Sequence, residues 1–355
     1  MKKITILIII SALIAALSGC TRNTGFIPND KISIVSTVFP QYDWVRQILG
    51  DKTDNFELTL LLDGRMDMHS FQPSLNDIAK ISSSDLFIYV GGVSDVWVDD
   101  VLRRAINPNM IVINLMDILG EAAKIEDIIE GMEVHHHACG YSHACDHDHG
   151  FFHNLFSSIL SFFKSGRGYN HEHRHEHEFD EHVWLSLRNA VLFNTAIADA
   201  LSSLDTDNAE VYRDNLSAYI EKLSALDARY QAVVNEAPVR TLLFGDRFPF
   251  RYLMDDYGIN YYAAFSGCSA ETEASFSTIV FLAGKTDDLN LNTVMVTEST
   301  DRAIARTIIN NTADKSQQIL ALDSMQSVIS SDIRNGVTYL LIMENNLNVL
   351  GEALK

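Results

Sequence analysis

Histidine and cysteine are the residues of this chain best suited to holding a metal ion. The 355 residues include 13 His and 4 Cys, unevenly placed. Eleven of the histidines fall between His135 and His177, and the other two are His69 and His182. An imidazole with an unperturbed pKa of about 6.5 is mostly neutral at pH 7 and can donate a lone pair to a metal. His69 stands in Asp63–Ser74 (DGRMDMHSFQPS), and His182 in Asp180-Glu181-His182-Val183-Trp184. Metal or acid–base chemistry in the folded body has those two imidazoles to work with.

The insertion 135–177 reads differently. His135, His136, His137, His143, His147 and His149 precede His153, and His171, His173, His175 and His177 alternate with acidic and basic residues. A flexible, low-complexity tract imposes no fixed geometry, so it suits several weak, exchangeable metal sites. Cys139 and Cys145 could join the chelate or close a small disulfide. The apolar Phe151–Phe163 between the tracts could pack on the body, touch the membrane surface or form a local helix, with packing on the body the first expectation.

Alternating strand-like and helical stretches must position the two body histidines. Strands are expected at Ile32–Val38, Glu57–Leu62, Leu86–Val90 and Met110–Leu115, with helical stretches at Gln41–Leu49, Ser74–Ile81 and Val93–Ile106. The alternation returns at Arg240–Phe244, Ile259–Phe265, Thr293–Thr297 and Gln318–Leu322, with a final helix from Val337 to Leu354. Such alternation predicts an α/β fold of two lobes, each a mostly parallel sheet covered by helices. Between them, residues 207–236 keep helical apolar spacing without Gly or Pro, which predicts one long backbone helix joining the lobes. The expected division is an N-terminal lobe over 31–185, helices over 186–237 and a C-terminal lobe over 238–355. Loops at the carboxyl ends of parallel strands are where such folds bind ligands, and His69 follows one of them.

The amino terminus reads as a signal peptide over 1–19, with Lys2 and Lys3 before an apolar run from Ile4 to Leu17. Leu17-Ser18-Gly19-Cys20 resembles a lipobox, making Cys20 the expected site of lipidation and 20–30 a tether. The protein is then expected on the extracytoplasmic face of a bacterial membrane, held there by lipid. The formal charge of -20 disfavours nucleic acid and attracts cations.

Several ordered motifs carry a resemblance to one family. These are Val38-Phe39-Pro40, Met68–Ser74 (MHSFQPS), Glu181–Leu185 (EHVWL), Asp256-Tyr257-Gly258, Gly267–Ser275 (GCSAETEAS), Leu322–Met325 (LDSM) and Tyr339–Leu347 (YLLIMENNL). Over residues 31–355 the chain resembles the cluster A-I metal-binding lipoproteins that serve ABC importers of zinc and manganese. The resemblance implies capture of a divalent metal between two lobes by a monomer, with delivery to an ABC permease. It implies three His and one carboxylate as ligands. His69 and His182 match two of the imidazoles and Asp323 matches the carboxylate. The third imidazole aligns with Arg247, which stays protonated and has no lone pair to give. Asp246 is the first substitute, completing a set of His69, His182, Asp246 and Asp323; Cys268 and Glu298 are the others. Arg247 could alternatively pair with Asp246, Glu271 or Glu273. Zinc is favoured, with manganese possible.

Two rival readings use the same residues. One is a surface metal buffer or adhesion lipoprotein with a degenerate interlobe site. The other is a zinc hydrolase working through a metal-bound water, for which the chain carries no H-E-x-x-H or G-x-S-x-G motif.

Overall fold

The computed structural model describes residues 31–64, 67–133, 179–269 and 273–355. The signal peptide, Cys20, the tether, the His-rich insertion, its apolar middle, Cys139, Cys145 and Glu271 lie outside the described residues.

Among the described residues two four-stranded parallel sheets form, with the same winding. The first has β1 (Ile32–Ser36), β2 (Phe56–Leu60), β3 (Leu86–Tyr89) and β4 (Ile111–Asn114) in the order β2-β1-β3-β4. The second has β5 (Thr241–Phe248), β6 (Asn260–Ser266), β7 (Thr293–Thr297) and β8 (Gln318–Leu322) in the order β6-β5-β7-β8. Helices α1 (Phe39–Leu49), α2 (Leu75–Ser83), α3 (Val98–Leu102) and α4 (Leu115–Leu119) belong to the first lobe. Then come α5 (Leu187–Leu204) and α6 (Ala209–Glu236), followed by α7 (Arg251–Tyr257), α8 (Phe276–Asp288), α9 (Ala303–Asn310), α10 (Ser330–Arg334) and α11 (Tyr339–Ala353).

α6 is the long helix that the apolar spacing predicts. Its 28 residues span about 42 Å at 1.5 Å per residue. Tyr212, Tyr219, Leu223, Leu226, Tyr230 and Val234 are buried along one stripe, as helical spacing requires. The helix is tied to both lobes by hydrogen bonds: Asn215 Nδ2 donates to Ile48 O of α1 at 2.9 Å, and Tyr230 Oη to Met343 O of α11 at 2.6 Å. One continuous apolar core runs across the lobes, including Ile34 and Ile88 on one side and Phe244 and Leu322 on the other. Trp44 sits in it between Phe193 and Tyr339, at 5.7 and 5.2 Å between ring centroids.

Two local departures from the sequence expectation bear on the site. The helix expected over 93–106 shrinks to α3, because Asp95 Oδ2 accepts from Val90 N at 3.0 Å and Gly91 N at 2.9 Å, folding the preceding residues into a turn. β5 runs four residues past its expected end and shifts register against β6: Phe244 pairs with Ala263, but Arg247 with Phe265. One extra residue on β5 re-aims Asp246 and Arg247, as a β-bulge does. Gly245 stands at this irregularity, where a Cβ would come within 2.7 Å of Ala305 Cα on α9.

Candidate metal centre between the lobes

The two body histidines, separated by 113 residues, meet in the interlobe cleft. After β2 the chain makes a 3-10 turn at Met68–Ser70, capped by Asp67, whose Oδ1 accepts from His69 N at 3.0 Å. Met68 is buried beneath this turn, which turns His69 toward the other lobe's edge. His182 begins a second 3-10 turn, Val183–Leu185, which leads into α5 and is fully buried. Trp184 anchors it across the lobes, donating from Nε1 to Ser324 O at 3.0 Å.

Each imidazole has one ring nitrogen committed. His69 Nδ1 lies 2.8 Å from Ser94 Oγ and 3.4 Å from Glu181 Oε2, and His182 Nδ1 lies 3.0 Å from Asp180 Oδ1. At His182 the Asp180 carboxylate accepts only, so it holds the proton on Nδ1 and leaves the Nε2 lone pair outward; at His69 the Ser94 hydroxyl occupies Nδ1. The two Nε2 atoms face one another at 3.4 Å. Cys268 completes a cluster with them, its Sγ and the two imidazoles offering ligand atoms all within 4.8 Å of one another. Gly267 lets the cysteine loop approach. A Cβ there would stand 2.8 Å from Phe248 O and 3.1 Å from His182 Cε1.

The surroundings are rich in carboxylates. Burial opposes charge on His182, but Asp180, with Glu181 and Glu126 behind it, outweighs burial and lifts the pKa above 6.5. Burial would raise the Glu181 carboxyl; hydrogen bonds from His69 and Ser94 prevail and hold it below its ordinary range. Burial, then Glu126, Asp180 and Glu181, push the Cys268 thiol far up, so without a cation it stays protonated. Such a site gains most when a dication arrives and the thiol gives up its proton.

The expected carboxylates are otherwise engaged. Asp246 Oδ2 accepts from Thr297 N at 2.9 Å and Thr297 Oγ1 at 2.6 Å, and its Oδ1 accepts from Arg247 N at 2.8 Å. Its carboxylate therefore binds the end of β7, and the bulge is what turns it there. The Arg247 guanidinium crosses the cleft to pair with Asp67, an acid the sequence reading did not single out, and approaches Ser269 O at 3.4 Å. Asp323 Oδ1 accepts from Met325 N at 2.7 Å, while Glu298 accepts from Ser324 and Ser327. Both acids line a neighbouring open cavity of about 680 Å³. Burial and the nearby Glu298 raise Asp323 to about 7. Among the described residues the structure thus gathers His69, His182 and Cys268, and leaves Asp246, Asp323 and Glu298 outside that cluster. Sequence reading missed Ser94, Asp67 and Glu126 as partners. Only Asp67 had a local signal, standing two residues before His69 in a turn.

Two similarly wound α/β lobes braced by one long helix, with convergent donors in the cleft, define the class: a two-lobed solute-binding protein. The chain belongs to the ZnuA family, whose model, described as zinc-uptake complex component A, periplasmic, matches residues 34–353. It is 29% identical over 350 residues to the zinc-binding lipoprotein AdcA of Streptococcus pneumoniae serotype 4, covering 99% of this chain and 60% of that relative. The chain thus spans about 60% of the length of the AdcA proteins it matches. It is 26% identical over 362 residues to the high-affinity zinc uptake system protein ZnuA of Bacillus subtilis, covering 99% of this chain and 98% of that one. The Zn(II)-bound ZnuA-like domain of S. pneumoniae AdcA superposes with a TM-score of 0.64 at 24% identity, covering 91% of this chain and 99% of that one. The metal-dependent lipoprotein YcdH of B. subtilis gives 0.66 at 22% identity, covering 91% of this chain and 99% of that one. These superpositions establish the shared fold. The family is one of binding components of uptake systems, so the chain is not an enzyme.

Proposed function

We propose that this chain captures a zinc ion in the interlobe cleft through His69 Nε2, His182 Nε2 and Cys268 Sγ, and delivers it to an ABC permease. The observation that carries this reading is the 3.4 Å between the two Nε2 atoms, each with its Nδ1 already committed. Two nitrogens at about 2.0–2.1 Å from a tetrahedral zinc stand about 3.3 Å apart. The pair therefore already has the spacing that a shared ion demands. Cys268 takes the place left by Arg247, and its soft thiolate favours zinc over manganese. Asp323 remains the carboxylate that the family resemblance implies; held near 7, it would ionise readily as a cation approaches. Asp246 is left out of this set because its carboxylate holds Thr297. With residues 1–19 removed, the mature chain would be lipidated at Cys20 and would act as a monomer on the outer face of the membrane, with the His-rich insertion collecting ions weakly.

Isothermal calorimetry with zinc tests the reading. The full mature protein should bind one ion tightly, and a variant lacking residues 135–177 should keep that site. The His69→Ala, His182→Ala double variant should lose it; retention of one tight ion there refutes the assignment.

A further inference from the structure

The segment that leads into the His-rich insertion does more than carry it. Residues 124–133 leave the first lobe and run along the second, bonded to it repeatedly. Lys124 N donates to Tyr252 Oη at 2.9 Å, Arg251 approaches Asp127 at 3.4 Å, and Glu133 N donates to Ala264 O of edge strand β6 at 3.0 Å. Gly131, at φ +90°, lies where a Cβ would collide with the Phe281 ring on α8 at 2.1 Å. Near the start of this strap, Glu126 Oε1 accepts from Cys268 N at 2.8 Å. This hydrogen bond joins the ligand-bearing loop to a segment 142 residues earlier in the chain.

Neighbouring residues of the loop have their own contacts: Arg247 Nη1 donates to Ser269 O at 3.4 Å. Gly267 offers no side chain to pack, and Ser269 N donates to Ser266 O at a long 3.3 Å. Glu126 is the partner that holds the Cys268 amide itself, while the Glu181 backbone hydrogen-bonds the thiol. We propose that Glu126 is a positioning residue of the metal site: by accepting from the Cys268 amide it aims the thiolate at His69 and His182. It thereby decides whether this chain offers a sulfur ligand in place of the imidazole that Arg247 has displaced. This rests on the assignment of Cys268 as a ligand. Hydrogen bonds just outside a metal's ligands orient them, and their removal typically lowers metal affinity about 10- to 100-fold.

Cobalt(II) is the probe, because thiolate ligation to cobalt produces a charge-transfer absorption in the near ultraviolet that imidazole ligation does not. In the full mature protein carrying Cys139→Ser and Cys145→Ser, so that the insertion offers no thiolate, cobalt should produce that band, and adding Cys268→Ser should remove it. Glu126→Ala should lose most of the band at saturating cobalt while keeping the visible ligand-field absorption, and should bind zinc about 10- to 100-fold more weakly. Glu126→Gln, whose amide oxygen can accept the same hydrogen bond, should restore the band. Circular dichroism on each variant confirms folding. A full band and unchanged zinc affinity in Glu126→Ala overturn the role of Glu126, as does a Glu126→Gln that behaves like Glu126→Ala. A band of equal strength once Cys268→Ser is added, or none while Cys268 is kept, instead overturns the ligand assignment itself.

Discussion

Gly267 has no side chain because His182 and the Phe248 carbonyl occupy the space one would fill. A methyl at 2.8 Å from a backbone oxygen and 3.1 Å from the imidazole must move one of them. Crowding of this kind costs about 1–3 kcal/mol. Gly267→Ala should therefore melt at lower temperature in calorimetry and bind zinc at least about 10-fold more weakly in titration, because one of the two neighbours is the proposed ligand His182. The second prediction at this scale concerns pH. In the proposed site protons and zinc would compete for His182 Nε2, and Asp180 holds the imidazole's pKa above 6.5. Zinc affinity should fall as pH drops through that raised value, so the decline begins above pH 6.5. In metal-free protein the charged His182–Asp180 pair works the other way. Its contribution to stability is full below the unfolded pKa of about 6.5 and is lost as pH rises through the folded value. Apparent zinc affinity measured from pH 8 to 5.5 checks the first part; a flat response down to pH 6 would contradict it.

Short elements, more than long ones, aim the site's side chains. The 3-10 turn at 68–70 depends on its Asp67 cap, and the turn at 183–185 depends on contacts from α11. Tyr339, at the start of α11 and fully buried, donates from Oη to Trp184 O at 2.7 Å. Tyr339→Phe keeps the ring but leaves that buried carbonyl unpaired, at a cost of about 1–3 kcal/mol. Thermal unfolding should register the loss, and because Trp184 packs on His182 at 5.4 Å between centroids, zinc affinity should weaken as well. At this scale the strands and the long helix were legible in the sequence, since apolar periodicity marks them directly. The bulge in β5 was not. Its extra residue reflects how β5 fits against β6 and α9, and it turns the Asp246 carboxylate to Thr297.

At the scale of the whole molecule the lobes share one core, so the cleft is braced by more than its polar contacts. The Arg247–Asp67 pair crosses it with side chains 34% and 27% exposed. Pairs this open to solvent contribute about 0–1 kcal/mol. Arg247→Ala should accordingly shift the melting temperature by no more than a few degrees. Metal-free and zinc-loaded protein should have radii of gyration within about 1 Å in small-angle scattering, since hinge closure needs a weaker interlobe interface than this one. A larger change would show that the shared core opens. By itself the sequence determined the class of fold, the long helix and the two imidazoles free of the insertion, because periodicity and scarcity are local properties of a chain. Only the tertiary structure placed Cys268 beside them, turned the Asp246 carboxylate to Thr297 and set Glu126 against the Cys268 amide. Those partners lie 86 to 199 residues from the histidine or cysteine they serve. No spacing rule spans such distances: the strap, the bulge and the bare α-carbon of Gly267 bring the donors together, and each acts through packing against a different part of the chain.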